Sequence, residues 1–453
     1  MKFNENFFFY FVLPPIIFAG GYNMKRRRFF KNLSYIMLFG VLGTIINFIV
    51  SVICVIYINN QHWVHDENGK VLNLTAQDAL LMCAVLSSSD TIAAMSVVDE
   101  HTAPDVQSIL VGEGVVNDAV SIILFKSAIS MHSYSIDAND VGVFIGGFLS
   151  DLLASIGIGI LFGVISALLT KHLRELEQHP PYETAMLFLI SYLGYLVTLI
   201  LNFSGIISIL CTGILMGHYT WYNLSKEGRI VSRAAFEIMG EMLDSFVFIY
   251  VGFGTYTYVG QQVSYGFICL MIVVVLLSRF VVTVLMPILL KLVWKSFKLK
   301  VKELMIIWVG GSIRGAIAFA LIISIDSNQT HYKILMKTTI LGIVLFTVVV
   351  FGSILPMTKQ LFPILRNSQI IPNSFIPLSF EMMSTNNDPS RSQGEPKTKL
   401  HQKWRNVDDA YLKRWLIKHE KLGLPVTKDV MEDACTQTKD IEEEQELSMH
   451  LVE

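Results

Sequence analysis

Charge is scarce in this chain. Asp, Glu, Lys and Arg make up 16% of its 453 residues and apolar residues 53%, whereas soluble chains carry about 25% charge. That shortage excludes an ordinary soluble domain, because apolar runs of about 20 residues recur along most of the sequence, each able to cross a ~30 Å hydrocarbon core. The net charge of −2 leaves no global field for nucleic acid. Cysteine is scarce too: Cys54, Cys83, Cys211 and Cys269 lie in apolar runs and Cys435 in a polar tail, with neither zinc spacing nor a paired framework. They read as packing residues, and no cofactor is expected. No nucleotide-binding motif is evident, which argues against a pump driven by ATP. Met1 to Asn6 shows no basic n-region or cleavage site, so insertion is expected to rest on the spans themselves.

What is present is a series of apolar windows between polar punctuation. They predict an all-α polytopic membrane protein of about eleven helices, centred on 8–24, 33–58, 76–98, 107–131, 141–171, 182–201, 204–219, 236–258, 263–294, 303–325 and 334–362. The second, fifth, ninth and eleventh are longer than a vertical span needs, which implies tilt or extension into water. Basic clusters at Lys25 to Arg28, Lys171 to Arg174, Lys226 with Arg229 and Arg233, and Lys295 to Lys302 fall on alternate loops. Cytoplasmic loops collect Lys and Arg, so the N-terminus and the 59–75 loop are expected on the lumenal or extracellular side and the tail in the cytosol. The sequons at Asn73 and Asn328 agree with that side. From about Arg366 the composition turns polar, with an acidic run from Asp440 to Glu446. A largely disordered solvated tail is expected over 366–453, with His401 to Gly423 as an amphipathic helix or docking segment.

Against this background a few polar residues stand out, since ionisable groups in mid-membrane are costly and mark ion or proton pathways by default. In the fourth helix Glu113 and Asn117 are four apart and share a face, while Asp118 is about 100° further round. This arrangement makes Glu113 half of a buried ion pair and leaves Asp118 exposed to a narrow aqueous cavity, where it can hold either a proton or a cation. The third helix carries Ser87-Ser88-Ser89-Asp90-Thr91 in mid-span. Such a run favours side-chain to backbone hydrogen bonds and a local unwinding that frees carbonyls to ligate a cation; the alternative is a polar packing seam. A matching break is expected in the tenth helix at Gly310-Gly311-Ser312-Ile313-Arg314-Gly315, with Arg314 a fixed charge beside it. Paired interruptions in two halves point to a midplane transport site in an inverted repeat. Arg279 cannot lose its proton and needs a carboxylate, for which Glu113 is the candidate. Asp244 either lines the outer cavity or ends a polar helix edge. Lys126 is expected to snorkel toward the outer interface.

These residues resemble the eukaryotic sodium/proton exchangers of the monovalent cation/proton antiporter group. Phe8-Phe9 followed by Leu13-Pro14-Pro15-Ile16-Ile17-Phe18, then Gly112 to Ala119, then Gly310 to Ala320, match that family's signature segments in order and spacing over about residues 7–362. Lys25 to Leu33 and Trp404 to Lys413 are similar to segments of its organellar branch, although Arg414 stands where a proline is usual. The resemblance implies endosomal or Golgi membranes ahead of the plasma membrane. It further implies that Asp118 binds Na+ or K+ and the proton alternately, that Asn117 positions its neighbour, and that Ser89 and Asp90 line the crossing of the two broken helices. Asn117 before Asp118 is the form associated with electroneutral exchange. Asp244 stands where glutamate is usual, with Phe9 and Leu13 expected beside it in the cavity wall.

By the same resemblance, residues 1–365 form the antiporter domain, its ion-carrying core in about 33–131 and 263–362 and its scaffold in 8–24 and 141–258. Family members have about thirteen helices with the Leu-Pro-Pro helix third, whereas here it is first. The two missing helices would belong to the scaffold that forms a homodimer. The expected partners are therefore Na+, K+ and H+, the lipid bilayer, a second copy where the scaffold suffices, and cytosolic regulators at the tail. The rival readings are a transport-inactive membrane scaffold acting through its tail, and a channel, which the buried fixed charges and paired breaks suit less well.

Overall fold

The computed structural model describes residues 7–24, 26–63, 73–90, 104–129, 138–173, 177–258, 263–293, 299–325, 332–361 and 408–417. Every regular element among them is helical. In chain order these are α1 (Phe8–Tyr22), α2 (Arg26–Met37 continuing through Leu38–Gly43 and Thr44–Asn60), α3 (Ala76–Ser87), α4 (Pro104–Ile129) and α5 (Ala138–His172). They are followed by α6 (Pro180–Ile200), α7 (Gly205–Leu215 continuing to Asn223), α8 (Lys226–Tyr258) and α9 (Tyr265–Phe280 continuing to Val293). The interrupted tenth span is α10 (Val301–Gly310) plus α11 (Ala316–Ile323), α12 is Lys333–Leu361, and a short α13 in the tail runs from Asp408 to Leu416. Among the described residues, six helices are long and apolar enough to cross a membrane, and α1 and α3 are shorter apolar helices. Thr91, residues 92–98, the Asn328 sequon, the loop 64–72, and the tail apart from 408–417 lie outside the described residues.

Two helix starts differ from the sequence expectation for a physical reason. The basic residues from Arg26 to Arg28 form the first turn of α2 rather than a loop, because Phe29, Asn32 and Ile36 recur at helical spacing and are buried, and Lys31 reaches Asp105 of α4 at 2.8 Å. Likewise Lys226, Arg229 and Arg233 belong to the first turns of α8. Ser225 prepares that start: its Oγ accepts from the Gly228 N–H at 2.9 Å, while its own Oγ–H and N–H donate to the buried Glu183 of α6 at 2.7 and 3.1 Å. The chain alternates direction from span to span, so the starts of α2, α4 and α8 and the ends of α1, α5 and α7 share one side, the basic side.

Packing places α1 between α7 and α8. Phe18 and Tyr22 of α1 meet Phe236 of α8 edge to face, with ring centroids 4.8 and 5.1 Å away, and the Tyr22 and Ser232 hydroxyls are 2.9 Å apart. On the basic side, α13 docks across the ends of α5 and α7. There Leu416 is buried with Ala167 and Tyr219, Asn223 Nδ2 donates to the Leu416 carbonyl at 2.9 Å, and Lys171 Nζ donates to that of Trp415 at 2.7 Å. This part of the tail is folded onto the spans.

Candidate functional site

A capping box opens α3, with Thr75 Oγ1 accepting from the Asp78 N–H at 3.2 Å and Asp78 Oδ2 accepting from the Thr75 N–H at 3.0 Å. Its hydroxyls close it. Ser87 and Ser88 donate back to the carbonyls of Ala84 and Val85 at 2.7 and 3.1 Å, an alternative to continuing the helix, and Ser88 turns to extended backbone. In the tenth span Ser312 Oγ donates to the Trp308 carbonyl at 2.6 Å, and the chain leaves the helix from Ile313 to Gly315, with Gly315 in extended backbone. The two open segments cross. The Asp90 N–H donates to the Ile313 carbonyl at 2.8 Å, and Arg314 Nη1 donates to the Ser88 carbonyl at 2.7 Å. Thr347 of α12 accepts the Arg314 N–H at 3.1 Å and pins the crossing from behind.

Two glycines let the groups approach. A Cβ at Gly315 would lie 2.6 Å from the Asp90 Cβ and 2.7 Å from its Oδ2. At Gly311 a Cβ would overlap the Arg279 guanidinium. Gly311 has φ −81°, so its role is clearance, not a left-handed turn. Arg279 and Glu113, both 0% exposed, form the expected ion pair.

The two polar faces of α4 separate as helix geometry requires. Asn117 faces the crossing, where its Nδ2 donates to Ser89 Oγ at 2.7 Å and its Oδ1 accepts from Ser121 Oγ at 3.2 Å; the Ser121 and Ser87 hydroxyls are also 3.2 Å apart. Asp118 instead lines a cavity of about 280 Å³ with Ser88, Ser89, Asp90 and Gly315. The opposite wall comes from α1, including Leu13, Gly20 and Asn23, and from α8, including Glu237, Glu241, Asp244 and Val247. Asn23 and Glu237 form its polar rim toward the basic side. Carboxylates and hydroxyls converge here, oxygen donors that a hard cation takes.

Most of the residues singled out in the sequence thus meet around one crossing, and Gly310 ends α10 beside it. Asp244 lines this cavity, which runs from Asp118 toward the basic side. Phe9 is the exception among the cavity residues, because Phe8 faces the wall in its place. Residues 8–12 are wound as a π-helix, which shifts the phase of side chains along α1, and the Phe9 carbonyl instead accepts the Tyr195 hydroxyl of α6 at 2.6 Å. Glu237 and Glu241 escaped the sequence reading. Both fall in the helix expected over 236–258, and their 237, 241, 244 spacing marks one helix face.

The family description "Sodium/hydrogen exchanger, transmembrane" matches residues 3–360. The chain belongs to the sodium/hydrogen exchanger family. Among its relatives, Sodium/hydrogen exchanger 1 of Oryza sativa subsp. japonica is 30% identical over 443 residues, covering 91% of this chain and 81% of the relative. Sodium/hydrogen exchanger 9 of Homo sapiens is 32% identical over 439 residues, covering 95% and 66%. A solved structure of the sodium proton antiporter MjNhaP1 from Methanocaldococcus jannaschii shares the fold, with a TM-score of 0.56 and 18% identity over 78% of this chain and 85% of that one. This exchanger-family chain is a multi-pass membrane protein, and the matched region contains the whole crossing and cavity while α13 lies beyond it.

Proposed function

We propose that the protein exchanges Na+ or K+ for H+ by alternating access, with Asp118 as the carboxylate that both ions compete for. The observation that carries this reading is the position of Asp118, at the cavity wall and against the crossing of two interrupted helices. One site that holds either ion but not both couples the two fluxes without ATP. Asp90 and Ser89 complete the cation's oxygen shell from α3. Asn117, held by Ser89 and Ser121, orients the site and adds no charge, so one monovalent cation replaces one proton and exchange is electroneutral.

In this scheme α2 to α4 and α9 to α12 form the moving core, stiffened by Glu113, Arg279 and Arg314. Helices α1 and α5 to α8 form the scaffold, which also provides a homodimer surface. The similarity to the human exchanger 9 and the basic segment at Arg26 favour an endomembrane address, with the basic side and tail cytosolic and the antiport setting lumenal pH. The test is pH-gradient dissipation in reconstituted vesicles with Na+, K+ and Li+. Asp118→Asn is expected to abolish cation-dependent proton flux with expression intact, and persistent flux would remove Asp118 from the carrier role.

A further inference from the structure

At the end of α4 away from the basic side, the Lys126 amine lies 3.1 Å from the Asp151 carboxylate of α5 and also donates to the backbone carbonyl of Asn202, in the turn between α6 and α7. Three elements meet at one ammonium. The receiving side is assembled independently of the lysine. Ser155, one turn beyond Asp151 on α5, accepts the Ser204 N–H at 2.9 Å and so fixes the turn to the helix. Within that turn Asn202 adopts φ 61°, a left-handed conformation that asparagine tolerates better than most residues. It is held there by its N–H to the Leu199 carbonyl at 2.9 Å and by the Phe203 N–H to that of Thr198 at 3.0 Å. Asp151 and the Asn202 carbonyl therefore present two preset acceptors to an incoming cation.

We propose that Lys126, Asp151 and the Asn202 carbonyl form a reversible clasp that holds α4 against α5 and the α6–α7 turn while the cavity is open toward the basic side. The clasp has this role only if the protein alternates as proposed above. Lys126 and Asp118 sit eight residues apart on one uninterrupted helix, about 12 Å along its axis, so α4 cannot carry Asp118 past the scaffold without pulling Lys126 from its acceptors. Exposure distinguishes the clasp from the other ion pair of α4. Glu113 and Arg279 are both 0% exposed, and separating them would strand charge in the interior. The Lys126 and Asp151 side chains are 42% and 19% exposed, so each can be rehydrated when the contact opens and the pair contributes little net stability. A weak contact at the rim biases an alternating equilibrium without locking it. Lys126 and Asp151 are thus positioning residues for exchange, remote from the ion itself.

The experiment reads conformation directly. In full-length protein with its five native cysteines replaced, Ile16→Cys places a thiol in the cavity wall, and a membrane-impermeant maleimide is applied from the basic side. Lys126→Met and Asp151→Asn are each expected to slow labelling about two- to five-fold, as loss of an exposed pair shifts the equilibrium away from the basic-side-open state. Lys126→Arg, which keeps the charge, and the swap of Lys126→Asp with Asp151→Lys are expected to restore the rate. Unchanged labelling in both single variants, or slowed labelling that neither restoring variant corrects, overturns the clasp. Labelling needs no ion turnover, so a failure of the clasp stays distinct from a failure of Asp118 as carrier, which the flux of Asp118→Asn reports.

Discussion

The Asp90 N–H donates to the Ile313 carbonyl at 2.8 Å, a backbone hydrogen bond that joins the two interrupted helices. Around it the Asp90 side chain occupies the space that Gly315 leaves free. Gly315→Ala is therefore expected to push Asp90 off the crossing and to raise the apparent cation KM in vesicle flux assays. Overpacking of this kind costs about 1–3 kcal/mol, within reach of a folded protein, so expression should persist. An unchanged KM would show that Asp90 does not contribute to the cation's shell.

The Glu113 and Arg279 pair makes a stability prediction. Glu113→Gln leaves a buried guanidinium unpaired, and Arg279→Met leaves a buried carboxylate; breaking a buried pair from one side costs about 3–5 kcal/mol. Each single variant should lower the thermal unfolding midpoint in detergent. The double variant, which removes both charges, should recover most of the loss. Additive losses would mean that the two residues act separately.

Those features were legible in the sequence because their signals are local. Charges inside an apolar run, a string of hydroxyls and a cluster of glycines each announce themselves within a few residues, and the 100° step between Asn117 and Asp118 follows from helix geometry alone. What escaped depended on distant contacts or on helix phase. The interaction of His218 with Asp408 joins residues 190 apart in sequence. Phe8 replaces Phe9 because of a π-helical stretch that no composition rule marks. The acceptors of Lys126 are likewise distant, supplied by a different helix and by a left-handed turn.

Glu237 and Glu241 line the cavity wall on the basic side of Asp244. Carboxylates along a narrow cleft raise the local concentration of cations. Neutralising both as Glu237→Gln with Glu241→Gln should raise the cation KM measured from that side a few-fold, most strongly at low ionic strength, with kcat retained. Equal effects at low and high salt would count against electrostatic concentration.

Asn117 sets the charge of the site. Its amide is satisfied by Ser89 and Ser121 at 2.7 and 3.2 Å, and the nearly isosteric Asn117→Asp places a second carboxylate there. In vesicles clamped at defined membrane potentials, exchange by the parent chain should be insensitive to voltage, whereas Asn117→Asp should respond to it. Voltage-dependent flux in the parent would rule out one-for-one exchange.

The docked tail supplies a pH prediction. Burial would push the Asp408 carboxyl up, but hydrogen bonds from His218 at 3.2 Å and Tyr219 at 2.7 Å, with the nearby His218 and Lys413 charges, outweigh it and hold the group below the usual carboxylate range. A folded-state value depressed below the unfolded one, about 3.9 for aspartate, stabilises docking fully above the unfolded value and loses that contribution as pH falls through the folded value. Hydrogen exchange at residues 408–417 should therefore remain protected at neutral and mildly acidic pH and lose protection only in stronger acid, after correction for the intrinsic pH dependence of exchange. Asp408→Asn should show the same loss at neutral pH, because the neutral amide cannot replace the charge that His218 and Lys413 face. Protection in Asp408→Asn equal to that of the parent chain would mean that the apolar contacts of Leu416 hold the segment without the carboxylate.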